Sequence, residues 1–499
     1  VNRTTIARTV AALAALLFLG LGSLFWITPE LAAARFGITA AGAQGLTTIR
    51  ADLGGLFLGL ALLCAAAWWS RRRPFFLAAA GVLAAVAAGR VLSMAADGAS
   101  ATALVALGVE LTLAVLLVVT SREGQPATDG WSLPSPAGLR TAGGAVAVAI
   151  VALALAANSP SLLQGIFDRA AQRLSARVND APLADDALRV AVCGSSAPLP
   201  SASRAKACVA VFAGGKFYVV DTGPESTENL VLWGIPLARI GGVFLTHFHS
   251  DHIGDLGELQ LQTWAGGRNA PLPVYGGPGV DRVVAGFNDA YRLDQGYRTE
   301  HHGEKVMPSA TWGMVAHTVT LDGPPSPALD RTALVFDDGA LRVTAIEVNH
   351  APIAPAYAYR FDYKGRSVVV TGDLKYHPPL ADAARGADLL LSEAIAVNLT
   401  RSLGRAATGA GRTGTAAIMH DIEDYHITPE EAARTANDAG VQLLVYYHLL
   451  PAADGMLMRR LFQQGVNDVR QSGWTIADDG SMYSLPLGTT AIRIGRVDD

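Results

Sequence analysis

The stretch "THFHSDHIGDLGEL", Thr246–Leu259, places three histidines and two aspartates within its first ten residues, in a chain of 499 residues that has only eleven histidines. The residues before it, "GVFLT", read as a buried strand, so "HFHSDH" falls at that strand's C-terminal end. His247 and His249, two apart on extended backbone, project to the same side and can bind one metal. Asp251 and His252 follow on the turn into a helix beginning near Gly254, so their side chains diverge from the first pair and can serve a second ion close by. Imidazole and carboxylate ligands suit two zinc ions, with manganese or iron as alternatives.

Other strand ends supply the remaining donors. His350 closes "TAIEVNH", Asp373 closes "SVVVTGD" and His448 closes "LLVYYH", each directly after an apolar run. A single strand-end histidine is usually a satisfied surface residue; three such residues together with the first cluster make a dinuclear site. Around them, "LRVAVCG", "CVAVFAGGKFYVVDTG", "LPVYGG", "AYAYRFDYKGRSVVVTGD" and "ADLLLSEA" read as further strands, with hairpin turns at Gly214–Gly215 and Lys364–Gly365. Helical patterns intervene, including "TPEEAARTANDAG", which has Thr428 as N-cap, Pro429 as first residue and Gly440 as stop. Two mixed sheets covered by helices on the outside is the α/β architecture that this order predicts.

The first quarter of the chain is of another kind. Apolar runs at 6–25, 53–69, 75–95 and 103–120 are each long enough to cross a bilayer core of about 30 Å, which predicts an α-helical transmembrane bundle over 1–122. A Ser-, Pro- and Gly-rich linker follows at 123–140, then a shorter apolar run at 141–158, read as a fifth span or signal-like anchor. A connecting segment covers 159–187, and the part with the strands and the histidine cluster covers 188–499. Arg3, Arg8, Arg71–Arg73, Arg122 and Arg140 mark the cytoplasmic flanks, so five spans would carry the C-terminal part to the extracytoplasmic or periplasmic side of the cell membrane. Arg90 and Glu110 lie inside the third and fourth runs, where an unpaired charge is costly, and are expected to face each other, with Arg50 or Asp52 nearby. Cys193 and Cys208 flank a loop between two strands and form a disulfide if the compartment is oxidising, or two buried thiols otherwise; Cys64 lies in an apolar run.

HxHxDH followed by a distant histidine, an aspartate in "TGD" and a last histidine resembles the metallo-β-lactamase fold hydrolases, over about 188–487. The resemblance implies a four-layer αββα fold, with His247, His249 and His350 on one zinc, Asp251, His252 and His448 on the other, and Asp373 bridging. Such a metal pair would activate a bridging water for hydrolysis. Asp251 would orient that nucleophile, and His426 in "DYHITPEEAA", with Glu393 in "SEA", would protonate the leaving group. His301 and His302 in "YRTEHHGE" would lie in a loop near the site.

Within that superfamily "CGSSAPLPSASRAKACVAVFAGG" and "GVQLLVYYHLLP" look like the ribonuclease Z branch, and "GGR", "YRTEHHGE" and "DYHITPEEAA" like its zinc-dependent arylsulfatase-like members. The ribonuclease Z pattern carries a histidine where this chain has Ser392. Between Gln262 and Arg331 six basic residues face seven acidic ones, which is no electrostatic footprint for RNA. The reading is therefore a membrane-anchored dinuclear zinc hydrolase of a small sulfate ester or phosphodiester, with nucleic acid as an unlikely partner. The first alternative is a ribonuclease Z-like phosphodiesterase on tRNA or another nucleic acid. A membrane sensor or transport module with a metal-binding domain is a third reading, and an oligomer is left open. The layout from "RADLGG" through "GR" to "VEL" resembles a family of small four-helix membrane proteins of unknown function, over about 6–122.

Overall fold

A computed structural model describes residues 3–36, 38, 42–97, 101–121, 160–175 and 178–497. The chain divides into two compact units, Val1–Leu174 and Ser175–Asp499.

Among the described residues of the first unit, three helices are long and apolar enough to cross a membrane: Ile6–Ile27, Gly45–Ser70 and Arg73–Met94. The fourth run forms the helix Ala101–Ser121, of which Val105–Ser121 is a shorter apolar stretch. Small side chains line the contacts: Ala7, Ala11 and Ala14 are buried in one cluster with Ala61, Cys64, Ala67, Ala79 and Ala80. Such residues let apolar helices approach closely. The Arg90 guanidinium grips Glu110, with Nη2–Oε1 at 2.5 Å and Nε donating to both oxygens at 3.1 and 3.0 Å. Arg50 is engaged elsewhere, its Nε donating to the Trp26 carbonyl at 3.4 Å from the π-helical turn Ile49–Gly54. After the first long helix the chain forms two short helices, Pro29–Arg35 and Gly42–Thr48. The linker and the fifth apolar run lie outside the described residues.

The second unit is built on two sheets. The first holds β1 (Ala187–Gly194), β2 (Cys208–Ala213), β3 (Lys216–Val220), β4 (Ile240–Phe244), β5 (Leu272–Gly276) and β6 (Met314–Thr318), with β14 (Ser481–Pro486) and β15 (Arg493–Arg496). Their order is β15-β14-β1-β2-β3-β4-β5-β6. The second sheet holds β7 (Thr332–Asp337), β8 (Leu341–His350), β9 (Ile353–Tyr363), β10 (Arg366–Val370), β11 (Leu389–Ile395), β12 (Leu443–Leu450) and β13 (Trp474–Ile476). Its order is β13-β12-β11-β10-β9-β8-β7. The main core lies between the sheets: Val190, Val211, Tyr218 and Phe244 of the first pack with Val343, Tyr359, Phe361, Val368 and Val445 of the second. Two further cores form on the outer faces, where helices such as Leu256–Ala265 and Pro429–Ala439 cover the sheets.

Both expected hairpin turns form, with positive φ at Gly214 and Gly215 (60° and 73°) and at Lys364 and Gly365 (47° and 84°). Thr428 and Glu431 form a capping box and Gly440 stops that helix in the left-handed conformation. A disulfide joins Cys193 at the end of β1 to Cys208 at the start of β2, both fully buried.

β3 and β4 run parallel, and so do β10, β11 and β12. β8 points the same way as β10, because each is antiparallel to β9. The C-terminal ends of these strands therefore gather at one edge of the two-sheet core, which is where polar residues interrupt the apolar runs.

Candidate metal centre

The site grows out of these strand ends. Asp221 follows β3, His247 follows β4, His350 ends β8, Asp373 follows β10, and Glu393 and His448 lie near the ends of β11 and β12. A separate four-residue helix, Ser250–Ile253, carries Asp251 and His252, and the helix expected near Gly254 follows it as Leu256–Ala265. His249 stands just before it on extended backbone, with φ −64° and ψ 151°.

Three groups of donor atoms result, each within 4.8 Å: His247, His249, His350 and Asp373; Asp251, His252 and His448; and Asp373, Glu393 and His426. Asp373 joins the first two. Its Oδ2 is 3.9 Å from both His247 Nε2 and His350 Nε2, and its Oδ1 is 3.3 Å from both His252 Nε2 and His448 Nε2. One carboxylate thus offers one oxygen to each group. His448 Nε2 also lies 3.3 Å from Asp251 Oδ2.

The rings are held from behind. His252 Nδ1 donates to Asp221 Oδ2 at 2.8 Å, and His350 Nδ1 donates to the Tyr425 carbonyl at 2.9 Å. Either bond fixes the tautomer and leaves Nε2 free as a ligand atom. Asp221 also accepts from the Thr246 amide at 2.8 Å and hydroxyl at 2.7 Å, which ties the start of the histidine loop to β3. Thr246 in turn fills the space beside Gly372: a Cβ there would sit 2.6 Å from the Thr246 Cβ, and φ is +60°. Only glycine suits the position before Asp373. Asp221 and His448 are themselves non-glycine residues at positive φ, 59° and 42°. Conformations of that kind persist where surrounding packing over-determines them.

Among the described residues, nine buried side-chain nitrogen or oxygen atoms lack a hydrogen-bond partner, and three of them are the atoms that face one another around Asp373: His252 Nε2, His350 Nε2 and Asp373 Oδ1. Buried polar atoms are rarely left so without a reason. A set of orphaned imidazole and carboxylate atoms around one shared carboxylate fits divalent metal ions. Burial drives the His247 imidazole well below its ordinary value and His350 to about 4, which favours the neutral ligand form. At His252, by contrast, Asp373, Asp221 and Asp251 outweigh burial and hold the imidazole well above its ordinary value, so that an ion binding there must displace a proton. Burial would raise the Asp373 carboxyl, but His448 and His252 hold it well below the usual range.

His426 and Glu393 are bound to each other. His426 Nδ1 lies 2.8 and 3.0 Å from the Glu393 oxygens, and the Leu374 amide donates to Glu393 Oε1 at 2.9 Å. Burial alone would lower the imidazole, yet Glu393, Asp373 and Asp251 raise it to about 9. An imidazolium held this way is able to donate a proton, and its bonds to Glu393 leave Nε2 unengaged by that carboxylate. His301 and His302 end the helix Arg292–His302 rather than lie in a loop; both are exposed, and neither joins a donor group.

Asp221, Thr246 and the Tyr425 carbonyl were not singled out by their sequence. Asp221 could have been, since "FYVVDTG" is one more apolar strand ending in a polar residue. The Tyr425 contribution is a backbone atom and leaves no trace in residue type.

Residues 217–449 match a family described as Beta-lactamase superfamily domain, and residues 6–121 match a domain of unknown function, DUF4345. Curated relatives include ribonuclease Z of Mycolicibacterium paratuberculosis and of Mycobacterium avium, each 33% identical over 268 residues, which is 53% of this chain and 87% of theirs. Solved structures with a similar fold include the metallo-beta-lactamase fold protein YhfI from Bacillus subtilis, at 23% identity and TM-score 0.42, over 60% of this chain and 100% of that one. Human tRNase Z, short form, matches at 21% identity and TM-score 0.43, over the same shares.

Proposed function

We propose that this chain, which belongs to the metallo-β-lactamase superfamily and is a metal-dependent hydrolase, cleaves phosphodiesters in the manner its ribonuclease Z relatives' name implies. The observation that carries this reading is Asp373, with one oxygen facing each of two histidine groups. We take the ions to be zinc, on the chemistry of the donors. A pair of divalent ions, when bound, supplies an activated water and stabilises the charge that builds on the ester.

The chain's own residues do the rest. His247, His249 and His350 would hold one ion, Asp251, His252 and His448 the other, and Asp373 both. Asp221 and the Tyr425 carbonyl keep two of the ligand rings in one tautomer. Glu393 keeps His426 charged and oriented, so that the imidazolium hands its proton to the departing oxygen. Asp251, buried beside His448, is placed to orient the attacking water.

A small-ester substrate, an aryl sulfate in particular, is the second reading, and the segment between Gln262 and Arg331 favours it. Of its six basic residues Arg268 is buried, Arg292 and Arg298 pair with Asp289 and Asp294, and Arg331 pairs with Glu347. Little cationic surface is left there for an RNA backbone. The helices of the first unit are proposed to anchor the chain in the membrane, with the hydrolase outside the cytoplasm as the arginine placement implies. Metal-loaded protein offered bis(p-nitrophenyl) phosphate, a precursor tRNA and p-nitrophenyl sulfate separates these readings. Turnover of the phosphodiester supports the proposal; turnover of the sulfate alone replaces it.

A further inference from the structure

Between β11, which carries Glu393, and His426 the chain inserts two helices, Val397–Gly409 and Thr413–Asp421, and returns to the metal centre through the turn Ile422–Asp424. Tyr425 is the residue that this return delivers. Its carbonyl accepts from His350 Nδ1 at 2.9 Å, and its ring lies against two rings of the site. The ring centroids are 5.2 Å apart with His350, edge to face, and 4.6 Å apart with His426, tilted by 38°. The same side chain packs on an apolar cluster of Ala197, Ile395, Met419, Ile422 and Leu450, which holds it in place. Of the rings gathered here, those of His247, His252, His350, His426 and His448 belong to buried residues, whereas His249 and Tyr425 are half-exposed. Both lie against His350, the ring of His249 at 5.5 Å. The side of the site that solvent reaches is thus bordered by His249, a donor, and by Tyr425, which belongs to no donor group. Burial first, and then Asp373, Asp251, Asp421 and Glu393, raise the Tyr425 phenol, so the far end of its ring stands in the field of three carboxylates of the site.

A half-exposed aromatic ring is a surface on which a planar group can stack. The leaving group passes it on the way out, because the imidazolium it must approach for its proton, His426, is the one that Tyr425 touches. We infer that Tyr425 is a specificity-determining residue whose ring stacks against the planar part of the leaving group, an aryl ring or a nucleobase, and so selects aromatic esters over aliphatic ones. The inference rests on the phosphodiesterase reading above, in which His426 protonates the departing oxygen.

The test measures calorimetric binding to wild type, Tyr425→Leu and Tyr425→Phe, all full length and metal-loaded. Each of two probe pairs carries one anionic head with and without a planar group: phenylphosphonate and methylphosphonate for an aryl ring, uridine monophosphate and ribose phosphate for a nucleobase. Wild type is expected to bind the planar member of at least one pair about five-fold tighter or more. Tyr425→Leu, which fills most of the space but has no π face, should lose that margin, while Tyr425→Phe keeps it. The non-planar member should bind Tyr425→Leu within about two-fold of wild type, because the backbone carbonyl that holds His350 remains. The pair whose margin depends on Tyr425 identifies the leaving group as aryl or nucleobase. No margin for either pair in wild type, a result that needs no variant to fold, overturns the inference. So does a margin that survives in Tyr425→Leu, a loss in Tyr425→Phe as large as in Tyr425→Leu, or equal losses on both members of a pair, the mark of a ring that only supports His350 and His426. A Tyr425-dependent margin without phosphodiester turnover in wild type overturns the phosphodiesterase reading alone.

Discussion

Asp221 touches no substrate, yet it holds three groups at once: the His252 ring, the Thr246 amide and the Thr246 hydroxyl. Asp221→Asn keeps the volume but cannot accept all three bonds and no longer fixes the His252 tautomer. Metal affinity, read by competition with a chromophoric chelator, should fall about 10- to 100-fold while the circular dichroism of the folded chain is unchanged. His426 gives a pH signature. Its raised value means that the acid is protonated at neutral pH and lost as pH rises through about 9, and divalent ions beside Asp373 draw that limb lower. Glu393→Gln removes the first-named counter-charge, leaving burial to dominate, so the alkaline limb of the kcat profile should move to lower pH. An unmoved limb would assign it to another group.

Among the elements, the strands legible in sequence are those buried on both faces. β10 to β12 are uninterrupted apolar runs, and the polar residue that ends each one is where a donor stands. β6, β7, β13, β14 and β15 were not foreseen, and all but β14 are the outermost strands of the two sheets. An edge strand buries less of itself, and β15 and β7 are mostly exposed or half-exposed, so no apolar pattern marks them. The metal donors could be read because each follows a strong strand signal, whereas Asp221 and the Tyr425 carbonyl act from behind the ligand rings. The helix Pro429–Ala439 was readable from its caps alone. Thr428→Ala breaks the capping box and should cost about 1 kcal/mol in chemical denaturation, with metal affinity unaffected. A loss of kcat as well, at unchanged metal content, would show that this helix also positions His426, two residues upstream.

At the scale of the whole molecule, parallel strands in both sheets end at one edge of a shared core, and that edge collects six of the chain's eleven histidines. No single stretch of sequence contains this site; the topology assembles it from seven strand ends and turns. Asp373 is the residue on which the two donor groups depend together. Metal analysis of the purified full chain by mass spectrometry, on wild type and on Asp373→Ala, therefore tests the account most directly. Two divalent ions per wild-type chain, falling to one or none in Asp373→Ala along with phosphodiester turnover, is the predicted result. A single ion per wild-type chain, or two ions retained without Asp373, would contradict it.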